Sequence, residues 1–302
     1  MALTRRELLR VVGFMAWGIV GLMLAPDASA RTKDGPAEPH VEVTWVGGPT
    51  LVITFGDLTI LTDPTLGESF AMGDPNDAVD HETVRSHHRL TPVAGVDLRR
   101  VDLLLLSHIH EDHFDQQAAS TLDRGLAVLA PTADVAALRT KGFRMVDGLT
   151  WGETRTFDSS AGRVRITAMP ARHSRAPAIA KALGTGNGYW LEFSKGAWKR
   201  TLYWTGDTLP TPDVVEAVSA RGSPDVLVPH VGGVGPTGPF GQISMRAADV
   251  VTLADAIRPR YVLPIHHSTY AFYREPIHEL SKASEGKPFR LDLVAAGPTL
   301  RY

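Results

Sequence analysis

Val101-Asp102-Leu103-Leu104-Leu105-Leu106-Ser107-His108-Ile109-His110-Glu111-Asp112-His113 is the stretch that decides both fold and chemistry. Val101 to Leu106 is mostly apolar, as expected of a short strand buried on both faces of a sheet. Phe114 to Leu122 then reads as helical, which leaves the histidines in a strand-to-helix loop. Three imidazoles and a carboxylate within six positions can aim several donor atoms at one point. Borderline cations such as zinc accept His and Asp ligands at about 2.0 to 2.2 Å. A single loop histidine is usually solvated or hydrogen-bonded. HxHxDH has few such explanations, so His108, His110, Asp112 and His113 are read as metal ligands.

Outward from this stretch the chain alternates short β-rich runs with helical ones. Val41 to Val46, Leu51 to Phe55 and Leu58 to Leu61 are separated by Gly-containing turns and suggest an opening antiparallel meander. Leu66 to Pro92 mixes Gly, Asp, Asn and His without periodicity and reads as a long loop able to wall a substrate site. Further strands are expected at 127–130, 163–169, 189–193, 201–204, 226–228, 261–264 and 289–294. Helices are expected at 133–141, 213–220, 245–257 and 277–283. Mixed strands with helices able to cover the outer faces imply an α/β layered domain.

At 302 residues and 43% apolar content the chain can bury a large core without disulfides. It has no cysteine, so any metal must be held by His and carboxylate rather than thiolate. The net charge is −2 and no Lys/Arg run forms a phosphate-tracking stripe, so nucleic acid is not expected as a partner.

The first thirty residues have a different character. Thr4-Arg5-Arg6-Glu7-Leu8-Leu9-Arg10 precedes an apolar run from Val11 to Ala25 and the small-residue end Ala28-Ser29-Ala30. This pattern is expected of a secretory signal, and its paired arginines resemble the twin-arginine class. The apolar run falls short of the roughly 20 residues that span a bilayer, so cleavage near Arg31 and no stable membrane insertion afterwards are expected. The expected location is periplasmic or extracellular. Cleavage would remove Arg5, Arg6 and Arg10 against Glu7 and Asp27, moving the net charge from −2 to −3. Residues 31–40 read as a linker, and 41–302 as one folded domain.

The cluster resembles the HxHxDH motif of the metallo-β-lactamase superfamily. That resemblance implies an αβ/βα sandwich of four layers with two metal ions at the edge of its sheets. It implies that His108 and His110 bind one ion and that Asp112 and His113 bind the other. Further along the chain, His173 in Met169-Pro170-Ala171-Arg172-His173-Ser174 would complete the first site. Asp207 in Trp204-Thr205-Gly206-Asp207-Thr208 would bridge the ions. His266 in Leu263-Pro264-Ile265-His266-His267 is the closing ligand in preference to His267.

Within the superfamily the chain is most similar to the branch with ascorbate-6-phosphate lactonase and N-acylphosphatidylethanolamine phospholipase D. Thr44-Trp45-Val46-Gly47, Thr62-Asp63-Pro64 and Pro264-Ile265-His266 carry this likeness. Many members have His after Trp-x-Gly, where this chain has Gly48. His230 stands where the branch often has an apolar residue, and would face substrate or be a hydrogen-bonded structural histidine. Asp63 at a strand end is a candidate partner for a ligand imidazole. His81, His87 and His88 are expected to be solvated, and His267 to be a packed or solvated neighbour.

The resulting expectation is a metal-dependent hydrolase in which a metal-bound hydroxide attacks an ester, lactone or phosphodiester of a small molecule. Asp207 and Asp112 would be the catalytic carboxylates. Zinc is expected first, with manganese or iron as alternatives on an all-His and carboxylate site. Two other readings stand beside it: hydrolytic dehalogenation of an activated ring, and a non-catalytic metal-binding protein on the same fold.

Overall fold

A computed structural model of the chain describes residues 38–302. The expected signal segment, residues 1–30, and most of the expected linker lie outside the described residues.

In the first half β1 (Glu42–Gly47), β2 (Thr50–Phe55) and β3 (Leu58–Thr62) form the expected antiparallel meander. A separate hairpin follows, β4 (Ser69–Met72) and β5 (Arg85–His88), before the chain returns through β6 (Leu103–Leu105). The helix α1 (Gln116–Thr121), β7 (Ala127–Pro131), α2 (Val135–Thr140) and β8 (Met145–Leu149) complete this half. In α1 the N-cap is Asp115, whose carboxylate accepts from Ala118 N–H at 2.7 Å.

The second half opens with β9 (Thr154–Ser159), β10 (Gly162–Pro170), α3 (Pro177–Ala182), β11 (Asn187–Lys195) and β12 (Trp198–Trp204). It continues through α4 (Pro212–Ser219), β13 (Val226–Val228), α5 (Ala247–Ile257), β14 (Tyr261–Val262), α6 (His278–Ala283) and β15 (Arg290–Leu291). The last strand, β16 (Thr299–Arg301), crosses back to pair with β1.

Two seven-stranded sheets result, ordered β16-β1-β2-β3-β6-β7-β8 and β15-β14-β13-β12-β11-β10-β9. Because side chains alternate along a strand, each sheet has an inner and an outer apolar face. Leu103 and Leu105 face inward and pack with Ile53, Ile166, Leu191 and Trp204 between the sheets. Leu104 faces outward against Phe114, Ala118 and Leu138 beneath α1 and α2. On the second sheet Trp190, Tyr203 and Leu227 face outward beneath α4, α5 and α6. Three interlayer cores separate four layers, helix, sheet, sheet and helix, as the sequence leads one to expect.

The secondary structure departs from expectation in several places. The region from Leu66 to Pro92 is not a plain loop but carries the β4–β5 hairpin, two four-residue strands that pair only with each other. Strands so short show too little alternation to be read. β8 and β9 carry polar, partly exposed residues in place of an apolar run, and β16 and α3 are too short to show a period. The expected strand from Val101 begins only at Leu103, because Asp102 accepts from the Thr59 N–H at 2.8 Å and marks the strand's edge.

Candidate metal centre

The expected site residues come together where strands from both sheets end. Asp63 follows β3, His108 to His113 follow β6, His173 follows β10, Asp207 follows β12, His230 follows β13 and His266 follows β14. Each side chain therefore leaves a rigid strand at its carboxyl end, the usual place for a ligand site in such sheets. The loops are brought close by small residues. Gly206 has φ +58°, and a side chain there would collide with Ser107 Cβ and the carbonyl of Asn187. Asp63 and His266, with φ of 31° and 63°, are two of the four non-glycine residues at positive φ among the described residues. Strain of this kind persists only where surrounding contacts over-determine it.

Four of the imidazoles share one arrangement: Nδ1 is tied back and Nε2 is left free. His173 Nδ1–H donates to the Ile243 carbonyl at 2.8 Å and His266 Nδ1–H to the Val231 carbonyl at 2.9 Å. His113 Nδ1 meets Asp63 Oδ2 at 2.7 Å. The Ser107 hydroxyl gives its single proton to Asp63, so its oxygen accepts from His108 Nδ1–H at 2.9 Å. The Nε2 atoms of His108, His113, His173 and His266 are buried and have no hydrogen-bond partner. Leaving four such atoms unsatisfied is costly unless something else binds them. His110 is turned the other way, with Nε2–H donating to the Leu183 carbonyl at 3.0 Å, which leaves Nδ1 for the cluster.

The free donors fall into two sets. The ligand atoms of His108, His110 and His173 all lie within 4.8 Å of one another. In the second set Asp112 Oδ2 lies 3.8 Å from His113 Nε2 and 3.6 Å from His266 Nε2. Asp207 stands between them: its Oδ2 is 3.6 Å from His173 Nε2 of the first set and 3.4 Å from His113 Nε2 of the second. Ligands bonded at about 2.1 Å to a tetrahedral cation are about 3.4 Å apart, so the second set, with Asp207, has the spacing a cation requires, and the first set gathers three imidazoles around a neighbouring point.

The electrostatics suit the same occupant. Burial lowers the pKa of His110 to about 4, and burial together with the surrounding imidazoles holds His108 well below its ordinary value. Both rings are therefore neutral and able to ligate. Burial opposes ionisation of Asp112 and Asp207, but His113 and His266 outweigh it. Asp112 is lowered to about 2, and Asp207 falls well below the carboxylate range. Burial likewise opposes a charged His113, yet Asp207, Asp112 and Asp63 raise its pKa well above ordinary, so the carboxylates draw positive charge to this point and a cation held there would displace the ring's proton.

His230 lies within ligand distance of His113, Asp207 and His266, but both its nitrogens are engaged. Trp204 Nε1–H donates to Nε2 at 2.7 Å, which places the ring proton on Nδ1, and Nδ1–H donates to Asp207 Oδ1 at 2.9 Å. It is a fully buried hydrogen-bonded histidine that orients Asp207, and it does not face substrate. His267 is also set apart, packed 4.6 Å from the Trp45 ring with Nδ1 on Ser268 Oγ. Asp63 is buried behind His113, in the place expected of a partner to a ligand imidazole. Gly48, at φ +53°, supports His266 through its carbonyl, which accepts the His266 N–H at 2.8 Å.

Two of the histidines expected to be solvated are not. His87 stacks 5.5 Å from Phe70 with Nε2 on the Met72 carbonyl, because the hairpin folds it inward. His81 packs edge-on to Phe240 at 5.5 Å and lines the cavity above the cluster. His88 is exposed, as expected. The sequence reading gives no role to Ser107 or to the carbonyls of Leu183, Val231 and Ile243. A carbonyl has no side-chain signature, and Ser107 gains its role only from Asp63 across 44 residues of chain.

The cavity measures about 600 Å³, and His110, Asp112, His173 and Asp207 form its floor. A roof cluster of Phe70, Val234, Ile243, Tyr270, Phe272 and Tyr273, with Met72, Leu183 and Phe240 packed on it, holds the walls.

Residues 42–266 match the family described as a beta-lactamase superfamily domain. The chain is 29% identical over 269 residues to a metal-dependent hydrolase of Anaeromyxobacter dehalogenans, with 86% of this chain and 85% of that one covered. It is 22% identical over 279 residues to an N-acyl-phosphatidylethanolamine-hydrolyzing phospholipase D of Caenorhabditis elegans, covering 87% and 75% of the two. Among solved structures, the isothiocyanate hydrolase from Delia radicum gut bacteria superposes with a TM-score of 0.71 at 21% identity. It spans 86% of this chain and 99% of that one, and the likeness is one of fold.

Proposed function

The chain belongs to the metallo-β-lactamase superfamily, and from that premise we propose that it is a metal-dependent hydrolase of small molecules holding two divalent cations, zinc first. His108, His110 and His173 would hold one ion, Asp112, His113 and His266 the other, with Asp207 shared. The observation that carries this is the convergence of three buried, unpartnered Nε2 atoms, those of His113, His173 and His266, on the one ionised carboxylate of Asp207. When bound, such a pair supplies Lewis acidity and makes water acidic enough to attack near neutral pH.

The chain's own residues do the rest. Asp63, Ser107 and the backing carbonyls fix each imidazole tautomer, so no reorganisation is needed when the site is used. His230 holds Asp207 in place. Asp112 lines the cavity with an ionised carboxylate, placed to accept a hydrogen bond from the attacking water and orient it. Met72, Leu183, Phe240 and Ile243 give the approach to the site an apolar lining. The bond attacked is an ester, lactone or phosphodiester.

Elemental analysis of purified protein, followed by a hydrolase panel with and without chelator, tests the proposal, and halide release is recorded as a separate arm for dehalogenation. Turnover that requires metal and disappears in His110→Ala or Asp207→Ala supports it. Full activity in metal-stripped protein overturns it.

We also propose export through the N-terminal segment. N-terminal sequencing of the protein recovered outside the cytoplasm should begin near Arg31. An intact Met1 in that fraction would refute cleavage.

A further inference from the structure

The cavity over the metal centre has an unusual charge balance. Above the floor its wall is a belt of Met72, Pro75, Leu183, Val234, Phe240 and Ile243, and the polar groups at its rim are His81, Glu82 and Glu111. Among the described residues neither Lys nor Arg lines it. Glu82 Oε1 lies 3.9 Å from His81 Nε2. The basic side chains lie elsewhere. Arg172, Arg175 and Lys181 line a separate cavity of about 540 Å³ on the other side of His173. There Arg172 and Arg175 are paired with Asp213 and Asp249.

We infer that the chamber selects substrates that are uncharged and mainly apolar away from the scissile bond, such as alkyl or aryl esters and lactones. It discriminates against those carrying a phosphate or carboxylate there. This deepens the hydrolase reading above and rests on it. An anionic group held against the apolar belt, away from the floor where the ions would sit, would give up water without gaining a side-chain counter-ion, and the carboxylates of Glu82 and Glu111 would oppose it. An apolar body instead replaces water along the belt at no such cost. Hydrophobic walls with a few polar groups are what a small-molecule site uses to orient an apolar ligand.

The test uses one leaving group and one chain length. p-Nitrophenyl hexanoate, the mono-p-nitrophenyl ester of adipic acid and bis(p-nitrophenyl) phosphate are offered to the metal-loaded protein. In each carboxylic ester water breaks the acyl C–O bond and gives a carboxylate, p-nitrophenolate and released protons. The hexanoate should exceed the adipate in kcat/KM by at least about tenfold, which corresponds to about 1.4 kcal/mol, while the phosphate reports only whether phosphodiesters are cleaved. Met72→Lys, at a half-exposed strand end, should narrow the hexanoate-to-adipate ratio, and Phe240→Lys is the second variant if the first does not fold. Equal or faster turnover of the adipate by the unaltered protein, or turnover of the phosphate with neither carboxylic ester, would overturn the inference and point to the basic cavity. If metal-loaded protein turns over none of the three, the hydrolase reading fails. The chamber is then judged by calorimetry alone: heptyl methyl ketone should bind more tightly than the keto acid of the same length, and the reverse order would refute the inference.

Discussion

His230 gives its Nδ1 proton to Oδ1 of Asp207 across 2.9 Å, and the indole N–H of Trp204, 2.7 Å from the opposite nitrogen, forces that tautomer. Asp207 thus reaches the centre of the site with one oxygen engaged from behind and the other between the two donor sets. Removing such a backing group typically costs about 10- to 100-fold in metal affinity or activity. His230→Ala should show a loss of that order in metal titrations while keeping the fold by circular dichroism. Trp204→Phe should produce a smaller loss, since it frees the tautomer without removing the ring. An affinity unchanged in His230→Ala would show that Asp207 needs no support.

Asp63 performs the same service for His113 while taking the Ser107 hydroxyl proton and the Ser107 N–H. Asp63→Asn offers one acceptor oxygen where two are used, and its NH₂ group would face a donor. Metal affinity should fall about 10- to 100-fold, with both sets of donors affected because Ser107 also backs His108. Metal content measured per protein after dialysis decides this.

Metal removal should lower thermal stability markedly, since the cluster then buries two carboxylates and four unsatisfied ring nitrogens. At free metal about a thousandfold above Kd, binding contributes about 4 kcal/mol. For a domain of this size that is a shift of order 10 °C in Tm. Calorimetric scans with chelator and with zinc restored measure it, and identical Tm values would argue against a metal centre.

Asp134 carries a pH dependence independent of the metal ligands. Burial, helped by the charge of Asp63, raises its pKa from 3.8 to about 6, and its Oδ2 is buried without a partner. Between those values the folded protein holds a proton that the unfolded chain has shed. Stability therefore falls as pH rises through that window, and the whole cost is present above about pH 6. Asp134 makes no side-chain cap bond to α2, so Asp134→Asn loses nothing there. The variant should be the more stable above pH 6 and equal to the parent below pH 4. Equal stability at every pH would show that the carboxyl ionises freely.

Much of this protein is legible in its sequence. HxHxDH concentrates ligand chemistry in six consecutive residues, and His173, Asp207 and His266 each follow a strand that its own residues announce. Such signals survive because they depend on residue type at fixed local spacing. The layers are legible too, since Leu103 to Leu105 and the helices after them carry the periods of buried elements. The hairpin within residues 66–92 is not, because Ser69–Met72 and Arg85–His88 make a sheet only by finding each other.

By itself the sequence determined which atoms are available to bind a cation. Only the tertiary structure decided which of them are free to do so. His230 and His266 are both fully buried imidazoles near Asp207, and nothing in their residue type separates them. One has its Nε2 taken by Trp204 and the other has its Nδ1 taken by the carbonyl of Val231, so only the second keeps a bare nitrogen facing the cluster. A hydrogen bond to a backbone carbonyl or to an indole 26 residues away leaves no local pattern, because it is created by the packing of one strand end against another.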